Sequence, residues 1–255
     1  MNKLCRLVIL SVCLSWVVFG VQSGWAAGDT FAQIRARALE CGVPSESLDE
    51  VGALVQAKAI PDKEGAMLVS PLCIACEKEL PVGPLQEKLA EGLAKQVAPL
   101  RIVQALNDKL KAYVNARFLL KRYMQSVSPE ILGIVGEGLA RSVPQQDFEV
   151  YAAEYHSQPS GLFLTGAEMV SLLGQIGFDA DQTRAMLEAG FASGGLTPQW
   201  RYLVRVVLVA RQRGVSDDAI GEAAAAVLSE NGTVNDVSAR LGFTSRSLTG
   251  RSKSQ

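Results

Sequence analysis

The sequence predicts an all-α protein, an irregular array of antiparallel helical hairpins with about eleven helices. Three observations predict it. Apolar residues recur at helical spacing over most of the chain. A glycine, then an apolar residue, then a helix-starting residue marks one junction after another. No alternating strand pattern persists. Composition agrees: aromatic residues make up only 6% of the 255, which disfavours a sandwich or barrel, whereas the helix formers Ala and Leu are abundant.

In chain order, residues 1–27 read as a secretory signal peptide. Lys3 and Arg6 give a short positive segment, and Leu7 to Val21 is an apolar run too short for an ordinary membrane span. Gly24-Trp25-Ala26-Ala27 offers small residues for cleavage after Ala26 or Ala27. A lipid-modified Cys13 is excluded because Val12, not a small residue, precedes it. If the segment is instead kept as an anchor, the basic residues before the apolar run still place the rest of the chain outside. The expected location is periplasmic or secreted, with no membrane span after cleavage. Cleavage after Ala27 leaves 228 residues carrying 23 Lys and Arg against 26 Asp and Glu. That is enough chain for one large domain or two small ones, and the balance gives no electrostatic reason to expect nucleic acid or anionic lipid.

Residues 28–156 form an N-terminal helical half and 165–241 a C-terminal one. The irregular stretch Ser157 to Leu164, with Pro159 and Gly161, marks the boundary, and 242–255 is expected to be a flexible basic tail. The junction signature occurs at Gly42-Val43-Pro44-Ser45, Gly177-Phe178-Asp179, Gly195-Leu196-Thr197-Pro198 and Gly214-Val215-Ser216. Glycine takes the left-handed position that ends a helix, the apolar residue packs back, and Ser, Thr or Asp caps the next helix. Ser128-Pro129 is a further start, and Thr165 with Glu168 reads as a capping box. Leu85, Leu89, Leu93 and Val97 form one apolar stripe. Ile102, Leu106, Leu110 and Val114 form another, continued by Leu120 and Met124. The stretch 198–213, with Leu203, Val204, Val206, Val207, Leu208 and Val209, is apolar nearly all round and reads as a helix buried on several sides.

One segment repeats. Glu91-Gly92-Leu93-Ala94-Lys95-Gln96-Val97 returns 46 residues later as Glu137-Gly138-Leu139-Ala140-Arg141-Ser142-Val143, with a fainter copy from Glu188 to Ala192. Such a period suits a repeated helix pair. The Glu and Lys or Arg are i,i+4 partners in the favourable order. A glycine costs about 1 kcal/mol inside a helix, so its recurrence predicts close backbone approach rather than a ligand-binding ladder. The pattern resembles uncharacterised secreted bacterial helical-repeat proteins, over residues 40–125 and more weakly after 128, and that resemblance implies no activity.

Three cysteines outlast cleavage: Cys41, Cys73 and Cys76. In an oxidising compartment they allow one disulfide and one free thiol. Cys73-Ile74-Ala75-Cys76 is not a haem site, since Glu77 stands where histidine is required. A redox pair needs its first cysteine at a helix start, whereas this pair lies well inside a helix or after a kink at Pro71. The alternatives are a structural bridge from Cys41 to Cys73 or Cys76, or three buried thiols. No metal or cofactor is expected: His156 is the lone histidine, and nothing in the spacing brings it to the cysteines. No nucleophile elbow, phosphate loop or dinucleotide fingerprint occurs. Residues 233–253, with Val237, Leu241, Gly242, Phe243, Ser245 and Leu248 in core and turn positions, resemble the helix-turn-helix of arabinose-regulator-type transcription factors. That resemblance implies DNA contact through Arg246, Arg251 and Lys253. Against it, Gly242-Phe243-Thr244 repeats the chain's own junction signature, and the export signal leads away from any genome.

The sequence therefore predicts a binding or scaffolding module without a catalytic residue, its partner another periplasmic protein and not nucleic acid. A thiol-active protein using Cys73 and Cys76 is the first alternative and a DNA-binding regulator the second.

Overall fold

The structure is a computed structural model and describes residues 30–243. The signal segment, most of the basic tail and the second half of the helix-turn-helix resemblance lie outside the described residues. Within them the protein is all-α, with twelve α-helices and one 3-10 turn. The helices are α1 (Phe31–Cys41), α2 (Ser45–Gln56), α3 (Asp62–Glu77), α4 (Gly83–Ala94), α5 (Pro99–Lys121) and α6 (Pro129–Ala140). There follow α7 (Gln145–Tyr155), α8 (Ser160–Gln175), α9 (Ala180–Ser193), α10 (Leu203–Gln212), α11 (Asp217–Ser229) and α12 (Val234–Arg240), with the 3-10 turn at Pro198–Tyr202 before α10.

One kind of helix end builds most of the array. A residue in the left-handed region is followed by one whose N–H reaches back five residues to a carbonyl of the last helical turn, the Schellman arrangement. Gly42 with Val43, Gly177 with Phe178, Gly214 with Val215 and Gly242 with Phe243 all make it, with N···O distances of 2.7–3.1 Å. The fourth glycine expected in this role, Gly195, does not take it. Its neighbour Gly194 has the positive φ of 70° instead, one residue earlier. Five further ends have the same geometry without glycine in the left-handed position: Lys58, Glu79, Gln96, Ser142 and Asn231, with φ of 52–67°. A side chain there costs about 1–2 kcal/mol, offset by the carbonyl bonds and by the apolar residue that follows, buried at Leu80 and Val143.

Helix starts follow the expected chemistry in part. Ser128, Asp179 and Ser216 accept from backbone N–H groups of α6, α9 and α11. Ser45 is the first residue of α2 rather than its cap. The proposed Thr165–Glu168 capping box is absent. α8 begins five residues earlier, at Ser160, so Thr165 is an interior, buried residue whose hydroxyl donates to the Gly161 carbonyl at 3.0 Å. The stretch 157–164 is thus only briefly irregular: α7 ends at Tyr155, Pro159 stands at the N-cap of the next helix and Ser160 begins it.

Packing runs along the chain. α3 receives α1 and α2, α5 packs on α3, α4 and α6, and α6 packs on α8. α9 pairs with α11, and α10, α11 and α12 close the far end. The buried apolar residues form one continuous cluster from Phe31 to Phe243. It crosses the expected boundary at Phe163, which is 1% exposed and whose carbonyl accepts from the Tyr151 hydroxyl.

The echo is a repeated corner. A Cβ built on Gly92 lies 2.8 Å from Cγ1 of Ile102, and one built on Gly138 runs into the Phe148 ring. Ile102 and Phe148 each stand ten residues after their glycine, on the following helix. The 46-residue period therefore reproduces one joint, with a glycine on the outgoing helix seating an apolar side chain of the next.

Two stretches are less buried than their apolar content predicts. In α10, Leu203, Val206, Val207 and Ala210 are buried, but Leu208 is 44% exposed, so this helix has one core face and not several. In α5 the core line passes through Tyr113, not Val114. Strict four-residue spacing drifts off a 3.6-residue repeat, and Val114 ends up exposed.

Candidate functional site

The three cysteines come together at the α1–α3 contact. Cys41, the last residue of α1, is bonded to Cys76 in the last turn of α3, 35 positions on, with Cα atoms 6.0 Å apart. Cys73 is free and fully buried, twelfth of the sixteen residues of α3. Its thiol donates to Glu77 Oε1 at 3.4 Å. Burial, followed by that carboxylate, pushes its pKa up to about 11. The hydrogen bond from Arg37, 2.6 Å away, holds Glu77 below the usual carboxylate range. A thiol kept protonated is neither a nucleophile nor a metal ligand, and its CxxC neighbour is occupied by Cys41. His156 caps α7 at the surface, its Nδ1 3.1 Å from the Ala152 carbonyl oxygen. No group of metal-ligating side chains occurs among the described residues, and none of the described helices is long and apolar enough to cross a membrane.

The echo glutamates line a charged cleft between α4, α5 and α6. Glu91 is exposed, 2.6 Å from Lys95 and 2.8 Å from Lys88, and these lysines lower its pKa to about 2. Glu137 is set deeper. It accepts from Lys109 Nζ at 2.6 Å and from the buried Tyr113 hydroxyl at 2.8 Å, with Arg141 3.6 Å away. Burial alone would raise the Glu137 pKa, yet these donors hold it below the ordinary value. Its lining mixes the acids Glu87, Glu91, Asp108 and Glu137 with the cations Lys88, Lys109 and Arg141, so the charges largely offset one another.

Two other surface features were hidden in the sequence. The first is a patch on α5. Phe118 is 71% exposed, the most exposed large apolar side chain among the described residues, and Val114 lies one turn before it. Lys78, Arg117 and Lys121 frame them. Arg117 donates to the Lys78 carbonyl and pairs with Glu79 at 3.2 Å, while Lys78 and Lys121 have no acidic partner among the described residues. The off-stripe i,i+4 pair Val114 and Phe118 was the available signal, masked by assigning Val114 to the core.

The second is a cavity of about 200 Å³ between α7, α8 and α9, walled by Val150, Tyr151, Val170, Phe178 and Leu187. Asp147, Glu154, Asp181 and Arg184 stand at its edge. Glu154 and Arg184 pair with each other, Arg184 Nε donating to Glu154 Oε2 at 3.1 Å. The side chains of Asp147 and Asp181 have no hydrogen-bond or ion-pair partner among the described residues. Partial burial raises the Asp147 pKa, as expected of a carboxylate short of both water and a cation.

Of the segment resembling a helix-turn-helix, α12 and the Gly242 turn are described, and Thr244 onward is outside the described residues. Comparison with known proteins adds nothing: no family model, no curated protein and no solved structure matches the chain.

Proposed function

We propose that this protein is an exported interaction module that binds another protein through the α5 patch. The supporting observation is Phe118, 71% exposed beside Val114 within a frame of three basic side chains. A large apolar side chain on a 23-residue helix, with Arg117 beside it, has the make-up of an interface anchor: aromatic residues and arginine are enriched in such surfaces, and Lys78 and Lys121 suit the charged rim. Charge placement favours a partner surface that is apolar at its centre and acidic at its rim. The cysteine geometry supports a staple rather than thiol chemistry, and the charged cleft supports a solvated ion-pair network rather than a catalytic pair. The test is size-exclusion chromatography of native extract. The wild-type chain elutes in a complex, and Phe118→Ser releases it without changing its melting temperature. Unchanged elution of the Phe118→Ser chain contradicts the proposal.

A further inference from the structure

We propose that a second copy of this chain is one partner of the α5 patch, with Phe118 of one copy seated in the cavity between α7, α8 and α9 of the next. This rests on reading the patch as a protein interface and names its occupant. The size fits: the cavity holds about 200 Å³, and an apolar cavity of about 150 Å³ suffices for a benzene ring. The walls fit, since Val150, Val170, Phe178 and Leu187 offer an aromatic ring only apolar contact.

The charges also fit. Lys78 and Lys121 on the knob lack acidic partners, and Asp147 and Asp181 at the cavity edge lack basic ones. Each surface carries a net charge opposite to the other, after the Arg117–Glu79 and Glu154–Arg184 pairs are set aside. Docking supplies a cation to a carboxylate that partial burial leaves short of solvent. The two surfaces are different patches of the same molecule, so the contact is head-to-tail: the copy that gives its knob keeps a free cavity, and the copy that gives its cavity keeps a free knob. Such a contact closes into a ring or extends as a chain, unlike a two-fold dimer.

Sedimentation velocity across a dilution series tests this with the full chain and two variants. Wild type is expected to grow beyond dimer with concentration and to weaken in high salt, where screening shortens to about 3 Å. Phe118→Ser removes the knob, and the paired change Asp147→Lys with Asp181→Lys reverses the cavity edge. Each variant alone is expected to be monomeric. An equimolar mixture is expected to form a dimer and no larger species, because one intact cavity meets one intact knob. That recovery also shows that both variants fold. A wild type that stays monomeric overturns the inference, as does a cavity variant that still self-associates or a mixture that does not. If purified wild type is monomeric while Phe118→Ser still releases a complex in extract, the interface reading stands and its partner is a different protein.

Discussion

Cys73 keeps its proton because the core excludes water and, second, because its own helix supplies a carboxylate one turn away. With its pKa pushed up to about 11, the thiolate is about a thousandth of the population near pH 8. Alkylation followed by peptide mapping should leave Cys73 unmodified in the folded chain and label it fully once denatured. Rapid labelling of the folded protein contradicts this. Cys41→Ser should cost about 2–4 kcal/mol in denaturant melts, the usual value for removing a bridge that closes a loop of this order. Glu137 gives a pH dependence of known sign. Its donors hold the folded carboxyl below its unfolded pKa, so its stabilisation is present at neutral pH and is lost as pH falls through the folded value. Glu137→Gln should therefore cost about 1–2 kcal/mol at neutral pH. The gap from wild type should close in acid, and a gap that widens there refutes the assignment.

At the scale of elements, the echo and the helix ends are testable separately. Adding a methyl at Gly138 forces the Phe148 ring or Ser171 Oγ aside. Gly138→Ala should thus destabilise by about 1–3 kcal/mol although alanine is the better helix former, and Phe148→Leu should recover part of the loss. Stabilisation by alanine would refute the close corner. Gln96→Gly should stabilise by about 0.5–1 kcal/mol, since relief of the left-handed strain outweighs the added freedom of the unfolded chain.

These cases show what the sequence reveals. Glycine at a left-handed position advertises itself, so Gly42, Gly177 and Gly214 were legible as helix ends. Gln96 or Lys58 in the same conformation is not, because neither residue type favours it and what marks the helix end is the back-bond from the next residue, Val97 N–H to the Gly92 carbonyl and Ala59 N–H to the Leu54 carbonyl. The fold class was readable from local pattern, and so was a tight contact at the echo glycines, although what meets them is a side chain of the next helix and not its backbone. The pairing of Cys41 with Cys76 rather than Cys73 was not, since it depends on which face of α3 meets α1. The α5 patch was missed because a leucine stripe carries no record of where its phase turns from core to water. The α7–α8–α9 cavity was missed because its lining comes from three helices whose spacing only the assembled fold defines.

For the whole molecule, one continuous core runs from Phe31 to Phe243, which predicts that the array unfolds as a unit. Trp200, 1% exposed near one end, and the accessibility of Cys73 near the other should therefore report a single unfolding midpoint. On that body, α5 is the longest helix and carries its most exposed apolar side chain outward, and the functional account depends on that side chain meeting a protein. A photo-activated crosslinker installed at position 118 in the native host measures this most directly, with position 208, the exposed apolar position of α10, as the comparison. The account predicts discrete protein adducts from 118, abolished when Lys78 and Lys121 are reversed in charge and absent from 208. A diffuse smear at both positions, or discrete adducts from 208 alone, contradicts it.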